Sequence, residues 1–328
     1  MKVLLATDGS KSAFAAARFF ESLPVESPVE LVLLTAIGDP LSGSPESTQH
    51  WYPEVVRQER QHAEEHHRQI IDLMQTRCNR VESVLRPGHP VRVILDMAKQ
   101  IDCDLILMGA HGHSTIGRLL LGSVSDRVAT HATCSVLVVR LDGKDEFQRK
   151  DPFRITAGYD NSKPSREALD ELLKLQWDKA THLDLVSVAP AFDYLMGNGL
   201  SPAAIANEEA MFRQMKSGGA EKRTALTGTL PKTKTEVLQK QHAGAALVEA
   251  ADQSQASMIV VGDVGHSLLD DILLGSTTKY VLRHAACSVW ISRYHRRPNL
   301  GTPRGSREAG VAVIDNGETV REGIPTKP

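Results

Sequence analysis

The sequence lacks most of what would take it out of an ordinary globular class. It has four cysteines in 328 residues, Cys78, Cys103, Cys134 and Cys287, with no CxxC pair. That excludes a disulfide scaffold and reads as reduced thiols. It lacks an excess of either charge: 38 basic against 40 acidic residues leave a net charge of -2. There is thus no electrostatic case for nucleic acid or an anionic membrane as a partner. No apolar stretch approaches the length needed to span a bilayer. Only Met1-Lys2 precede the apolar run Val3–Thr7, too little for a signal peptide and without a small-residue cleavage site. A cytoplasmic protein is expected. No Walker-type lysine and no Ser/His/Asp arrangement can be assigned. What is present, 41% hydrophobic and 24% charged residues, is an average soluble composition long enough for two cores.

One glycine pattern occurs twice. Gly109-Ala110-His111-Gly112 is followed, across nine residues, by Gly122-Ser123. Gly262-Asp263-Val264-Gly265 is followed, across nine residues, by Gly275-Ser276, 153 positions further on. Asp8-Gly9-Ser10 has its counterpart in Asp160-Asn161-Ser162, 152 positions on, so one insertion separates the two spacings. Gln241 is placed opposite Gly88. His131-Ala132-Thr133-Cys134-Ser135-Val136 matches His284-Ala285-Ala286-Cys287-Ser288-Val289. The chain therefore reads as two copies of one unit: 1–141, a polar linker 142–153, and 154–293. Strand signals over Lys2–Thr7, Val29–Ile37, Arg80–Arg86, Asp104–Gly109 and Ser135–Arg140 alternate with helices over Lys11–Ser22, Pro53 to about Arg77, Val91–Ile101 and Ser123–His131. The second copy repeats the order with strands at Arg154–Tyr159, His182–Val188, Glu236–Gln239, Met258–Gly262 and Ser288–Arg293 and a long helix over Pro202–Thr227. Continuous apolar runs such as Leu105–Met108 predict strands covered on both faces, hence parallel sheets and an α/β fold. Trp177 and Trp290 read as packing residues. Residues 294–328 have a disorder-prone composition, except that Asn316-Gly317 between β-prone runs predicts a hairpin needing a surface to dock on.

The chemistry follows from where the glycines fall. Gly109 ends a buried strand, Gly112 lies in the turn, and Ser123 is expected to cap the helix after Gly122. The first amides of such a helix point outward with the positive end of its dipole, so an anion is favoured there. Ser123 and Ser125 add hydroxyl donors. Ligands of an open parallel sheet bind beyond the carboxyl ends of the strands, and Asp8 and Gly109 both lie at that edge. Asp8 there could accept from ribose hydroxyls or a base while the loop holds phosphates.

The pattern G-x2-G-x9-G-[S/T] after Asp104-Leu-Ile-Leu-Met-Gly109, with Asp8-Gly9-Ser10, Arg118-Leu-Leu-Leu-Gly122-Ser123-Val124-Ser125 and the Cys-Ser-Val run before the last strand, resembles the universal stress protein family. The resemblance covers about residues 1–140 and 154–293, that is, a tandem member. It implies two Rossmann-like domains, each a five-stranded parallel sheet of order 3-2-1-4-5 flanked by helices, paired through their last strands as a pseudo-dimer within the chain or further as a homodimer. It also implies ATP as the ligand, with Mg2+ or Mn2+ where a metal intervenes. Carried over, Asp8 meets the ribose or adenine side and the Ala36-Ile37 backbone meets adenine. Met108, Gly109, Gly112, Arg118, Gly122, Ser123, Val124 and Ser125 surround the phosphates. Asp160, Gly262, Gly265, Gly275, Ser276, Thr277 and Thr278 are the second set.

The two sets differ. Gly117-Arg118 in the first loop stands opposite Asp270-Asp271 in the second, and two carboxylates oppose a triphosphate unless a divalent metal intervenes. The first site is expected to be the tighter. His62-Ala-Glu-Glu65-His66 has the H-x-x-E-H form of one zinc-protease class, but it lies in a charged helix with His67 adjoining and no third ligand. His111-Gly112-His113 is similar to the nucleotidyltransferase HxGH motif, but it lacks that spacing and follows the fourth strand rather than the first. The function expected is an ATP-binding regulatory or stress-response protein with protein partners still to be named, and at most slow ATP hydrolysis. The alternatives are an ATP-using transferase and a nucleotide-free interaction module.

Overall fold

The apolar runs become strands because their side chains are buried on both faces. In a computed structural model, which describes residues 1–38, 52–112, 121–141, 151–189, 202–264, 274–294, 312–315 and 318–321, the chain divides into two units. The first comprises Met1–Leu23, Ser27–Phe147 and Asn299–Pro328, the second Pro24–Glu26 and Gln148–Pro298.

The first unit runs β1 (Lys2–Ala6), α1 (Lys11–Glu21), β2 (Glu30–Ile37), α2 (Tyr52–Met74), β3 (Arg80–Pro87), α3 (Pro90–Gln100), β4 (Leu105–Gly109), α4 (Ser123–His131) and β5 (Ser135–Val139). These strands pair in parallel in the order β3-β2-β1-β4-β5. The register sets Ala6 beside Met108 and Leu34, so the ends of β1, β2 and β4 open at one edge. Every residue of β4 and β5 is buried, the signature of a parallel sheet covered on both faces.

The second unit repeats the order with β6 (Arg154–Gly158), α5 (Lys163–Leu173), β7 (His182–Ala189), α6 (Pro202–Leu226), β8 (Lys232–Gln239), α7 (Ala243–Gln253), β9 (Met258–Gly262), α8 (Ser276–His284) and β10 (Ser288–Ser292). Its parallel order is β8-β7-β6-β9-β10, the same topology. Both indoles pack in its core. Trp177 Nε1 donates to the Leu172 carbonyl at 2.7 Å, and Trp290 Nε1 donates to Glu171 at 3.3 Å.

Two features differ from the sequence expectation, and a third was left open by it. Strand β8 begins at Lys232 rather than Glu236. Its first half, Lys-Thr-Lys-Thr, alternates polar residues and has no apolar run to betray it, which suits an outer strand. The insertion also lies elsewhere. Gly88 N–H donates to Ile37 and Lys240 N–H donates to Ala189, both at 3.1 Å, so Lys240, not Gln241, is the counterpart of Gly88. Finally, residues 312–315 (β11) and 318–321 (β12) form an antiparallel pair, and β11 adds in parallel to β3, with Val313 opposite Ser83. The hairpin thus has its docking surface on the first unit's sheet; its turn, residues 316–317, lies outside the described residues.

Candidate functional site

The edge at which β1 and β4 end is built by short-range hydrogen bonds. After β1, Asp8 Oδ1 accepts from Ser10 N–H at 3.0 Å, and Ser10 Oγ accepts from Ala13 N–H at 3.2 Å, which caps α1. Gly9 between them has φ of +77°, a conformation disfavoured for residues with a Cβ. The second unit builds the same turn from Asp160, Asn161 and Ser162, with Asn161 at φ +62°. Asp8 is exposed at this edge, while the turn behind it is fixed.

Against this turn lies the first glycine loop. A Cβ added at Gly112 would sit 2.5 Å from Asp8 Oδ2, and one at Gly109 would sit 2.7 Å from the Ser12 backbone. The loop backbone therefore approaches Asp8 as closely as glycine alone allows. Across the loop, Gly122 N–H donates to the Ala110 carbonyl at 2.8 Å, which brings the N-terminus of α4 back to the end of β4. The sequence-selected Asp8, Met108, Gly109, Gly112, Gly122, Ser123, Val124 and Ser125 thus belong to one sheet edge.

Two details correct the sequence reading of this helix. Its N-cap is Gly122, not Ser123, and no side chain caps it. Ser123, Val124 and Ser125 occupy the first turn, whose amides have no intrahelical acceptor, since the first helical bond runs from Asp126 N–H to Gly122. Ser125 is not a loose hydroxyl donor either. It is buried, and its Oγ lies 2.7 Å from the Ala110 carbonyl and 2.9 Å from that of Gly122. Its hydroxyl ties the loop together, and what it can offer an anion is its amide. Ser123 is exposed.

The second unit has the same frame with different contents. Gly275 N–H donates to the Asp263 carbonyl at 2.7 Å and is the uncapped N-cap of α8. Thr278 Oγ1, buried, donates to the Gly262 carbonyl at 2.7 Å, as Ser125 does to its own loop, whereas Ser276 is exposed and Thr277 half-buried. Asp263 stands where the first unit has Ala110. It is fully buried with Arg293, Oδ2 to Nε 3.5 Å. Arg118, Gly265, Asp270, Asp271 and His113 lie outside the described residues.

On the base side, Ala36 and Ile37 are the last residues of β2 and are paired with Arg86 and Pro87. The Ile37 carbonyl already accepts from Gly88 N–H, so a purine there would use its second lone pair.

Sequence reasoning missed His67. It is buried in α2 between Thr35 and Ser83, with Nε2 2.8 Å from Thr35 Oγ1 and Nδ1 2.6 Å from Ser83 Oγ. Thr35 Oγ1 donates to the carbonyl of Thr7, the residue before Asp8, at 2.8 Å. The Thr35 hydroxyl must then accept from His67 Nε2–H, and in the neutral ring Nδ1 accepts from Ser83. Burial, with a smaller contribution from His66, pushes its pKa down to about 4. The signal was available: Ala63, His67, Ile70 and Met74 form one buried stripe on α2. His62 is exposed, and among the described residues no three His, Cys, Asp or Glu side chains are grouped to hold a metal ion. Arg140 and Arg293, both buried at the ends of β5 and β10, were also missed, although their recurrence in the two copies marks them. Burial, and then the charge of Arg140, lowers the pKa of His111 in the first loop. No helix among the described residues is long and apolar enough to cross a membrane.

Comparison with known proteins gives consistent matches. A sequence model of the universal stress protein family matches residues 1–140 and again residues 153–293. The chain is 29% identical over 146 residues to universal stress protein MJ0531 of Methanocaldococcus jannaschii, covering 44% of this chain and 84% of that one. It is 33% identical over 141 residues to a universal stress protein of Thermus aquaticus, covering 42% of this chain and 97% of that one. Among solved structures, a universal stress protein from Archaeoglobus fulgidus DSM 4304 shares the fold, with a TM-score of 0.60 over 89% of this chain and 95% of that one at 21% identity.

Proposed function

The chain belongs to the universal stress protein family, as two tandem units, and from that premise we propose that its first unit binds ATP at the edge formed by Asp8, the 109–112 loop and the N-terminus of α4. The observation that carries the reading is the approach of the loop to Asp8: a Cβ at Gly112 would fall 2.5 Å from its carboxylate. The same sheet edge carries the Asp8 carboxylate after β1 and the first-turn amides of Ser123–Ser125 at the start of α4, with no side chain capping them. A carboxylate accepts from ribose hydroxyls. Uncapped amides at a helix N-terminus donate to phosphate oxygens and carry the positive end of the dipole. Mg2+ or Mn2+ accompanies the triphosphate as its counter-ion.

In this reading ATP acts as a regulatory ligand. Binding orders the glycine loop and shifts the population of the surface offered to protein partners, by as much as ATP prefers one loop state over the other. The reading is tested by denaturing freshly purified protein and identifying the released nucleotide by chromatography and mass spectrometry. ATP or ADP in near-stoichiometric amount is expected. Protein free of nucleotide that also fails to bind added ATP would refute it and leave an interaction module.

A further inference from the structure

We infer that His66 and His67 of α2 are positioning residues for the nucleotide site: together they fix the turn that carries Asp8, and so set how well the first unit reads the ribose of its ligand. The inference rests on the ATP reading of the first unit and adds two side chains to which that reading gives no role.

His67 acts through one hydroxyl. Its Nε2 lies 2.8 Å from Thr35 Oγ1, and Thr35 Oγ1 donates to the Thr7 carbonyl at 2.8 Å. That carbonyl belongs to the peptide joining Thr7 to Asp8. The buried chain from Ser83 through His67 and Thr35 therefore fixes the plane from which Asp8 departs. His66 acts by contact. A Cβ built at Gly9 would fall 2.6 Å from His66 Cδ2, so the imidazole lies directly on the backbone that follows Asp8. Gly9 holds its φ of +77° there and donates its N–H to Thr7 Oγ1 at 3.1 Å. Adjacent residues of one helix thus hold the chain on either side of Asp8, one by a hydrogen-bond relay and one by packing. Asp8 itself is exposed, so the direction of its carboxylate depends on the backbone beneath it.

The fold does not require this pair, because the second unit builds the same turn without it. Helices α2 and α6 align through Met74 and Leu226, which are fully buried at the helix ends and accept from Cys78 N–H and Leu230 N–H respectively. Gly218 and Gly219 then stand where the first unit has His66 and His67. The contacts across the core agree: a Cβ built at Gly219 would lie 3.8 Å from Thr235, which holds the register position of Ser83. Among the described residues, no atom lies within 4 Å of a Cβ built at Gly218. With that space open, the residue after the aspartate is Asn161, at φ +62°. This turn is held by its own neighbours. Tyr159 Oη donates to Asn161 Oδ1 at 3.0 Å, and Arg166 Nη1 donates to the Asn161 carbonyl at 2.7 Å. The differences come as matched pairs, glycine under histidine in one unit and asparagine under glycine in the other. Packing that the fold demands would recur in both copies; the turn recurs and the histidines do not.

The test uses the full chain, stripped of nucleotide, and compares ATP with 2′,3′-dideoxy-ATP by calorimetry in Mg2+, with thermal melting as a fold check. The wild type should prefer ATP at least about tenfold, since hydroxyls donating to a carboxylate make strong hydrogen bonds. His67→Ala and Thr35→Val should each cut that preference at least about threefold while leaving dideoxy-ATP affinity within about twofold. His67→Gln, which keeps a donor and an acceptor, should retain the preference. In an Asp8→Ala background, His67→Ala should change nothing further, because the histidine acts through Asp8. Gly9→Asn tolerates the turn's φ but meets His66, so it should also cut the preference, and Gly9→Asn with His66→Gly should recover it. Equal losses for the two nucleotides, an unchanged preference in His67→Ala and Thr35→Val, or a wild type with no preference would overturn the inference while leaving ATP binding intact. A wild type that binds neither nucleotide would overturn both. If His67→Ala melts early, Thr35→Val and the Gly9 variants decide.

Discussion

Replacing His67 with glutamine should flatten the pH dependence of the first unit's stability. The imidazole is buried and neutral, donating to Thr35 and accepting from Ser83. Its pKa is about 4 in the folded protein against the ordinary 6.5. The neutral form is the native one, so this contribution is complete above pH 6.5 and is lost as pH falls toward 4, where the folded state begins to bind the proton as well. At 1.36 kcal/mol per unit, the shift from 6.5 to about 4 corresponds to roughly 3 kcal/mol, of which about 2 kcal/mol is lost between pH 7 and 5. Glutamine can still donate to Thr35 and accept from Ser83, and it does not titrate. Hydrogen exchange read by mass spectrometry on peptides from α2, β2 and β3 is the assay. At pH 5 protection in the wild type should have dropped about 20-fold more, relative to pH 7, than in His67→Gln. Comparison at equal pH cancels both the intrinsic exchange rate and the carboxylates. Parallel pH profiles for the two proteins, or an imidazole NMR titration near 6.5, would refute the reasoning.

Three further outcomes follow from the same contacts. Gly112→Ala places a Cβ 2.5 Å from Asp8 Oδ2 and forces the exposed carboxylate aside; ATP affinity by calorimetry should fall at least about tenfold, with little change in melting temperature. Ser125→Ala removes the hydroxyl that ties the loop to Ala110; it should lower stability by about 1 kcal/mol in denaturant titrations but change ATP affinity less than about threefold, because its amide remains. Ending the chain after Tyr294 removes the strand that pairs with Glu82–Val84; exchange at those amides should rise while Leu105–Gly109 stays protected.

The fold was legible where burial leaves a pattern. Leu105–Met108 and Val136–Val139 are apolar throughout because helices cover both faces of their strands, and that is visible in one dimension. Lys232–Thr235 was missed because an edge strand is polar by nature and reads as a loop. At the site, Asp8 and the glycines were identifiable because their spacing recurs. The caps were misread for a physical reason: an uncapped helix beginning at Gly122 leaves no side chain to signal it, and the adjacent Ser123 has the residue type of a cap. His67 was hidden by its neighbours, since His62, Glu64, Glu65 and Arg68 give the segment a solvated composition while only every third or fourth residue faces the core. The buried contact of Asp263 with Arg293, thirty positions away in sequence, is likewise something spacing alone does not reveal.

If the first glycine loop is a nucleotide site and the second is not its equal, the two loops respond differently to the same substitution. Calorimetric titration of ATP into nucleotide-stripped Gly122→Val and Gly275→Val single variants reads that difference. A Cβ at Gly122 already meets the Ala110 carbonyl at 3.1 Å, and valine adds bulk over the first amides of α4. Loss of binding in Gly122→Val with near-wild-type binding in Gly275→Val is the predicted result. Equal loss in the two variants, or unchanged binding in Gly122→Val, would contradict it.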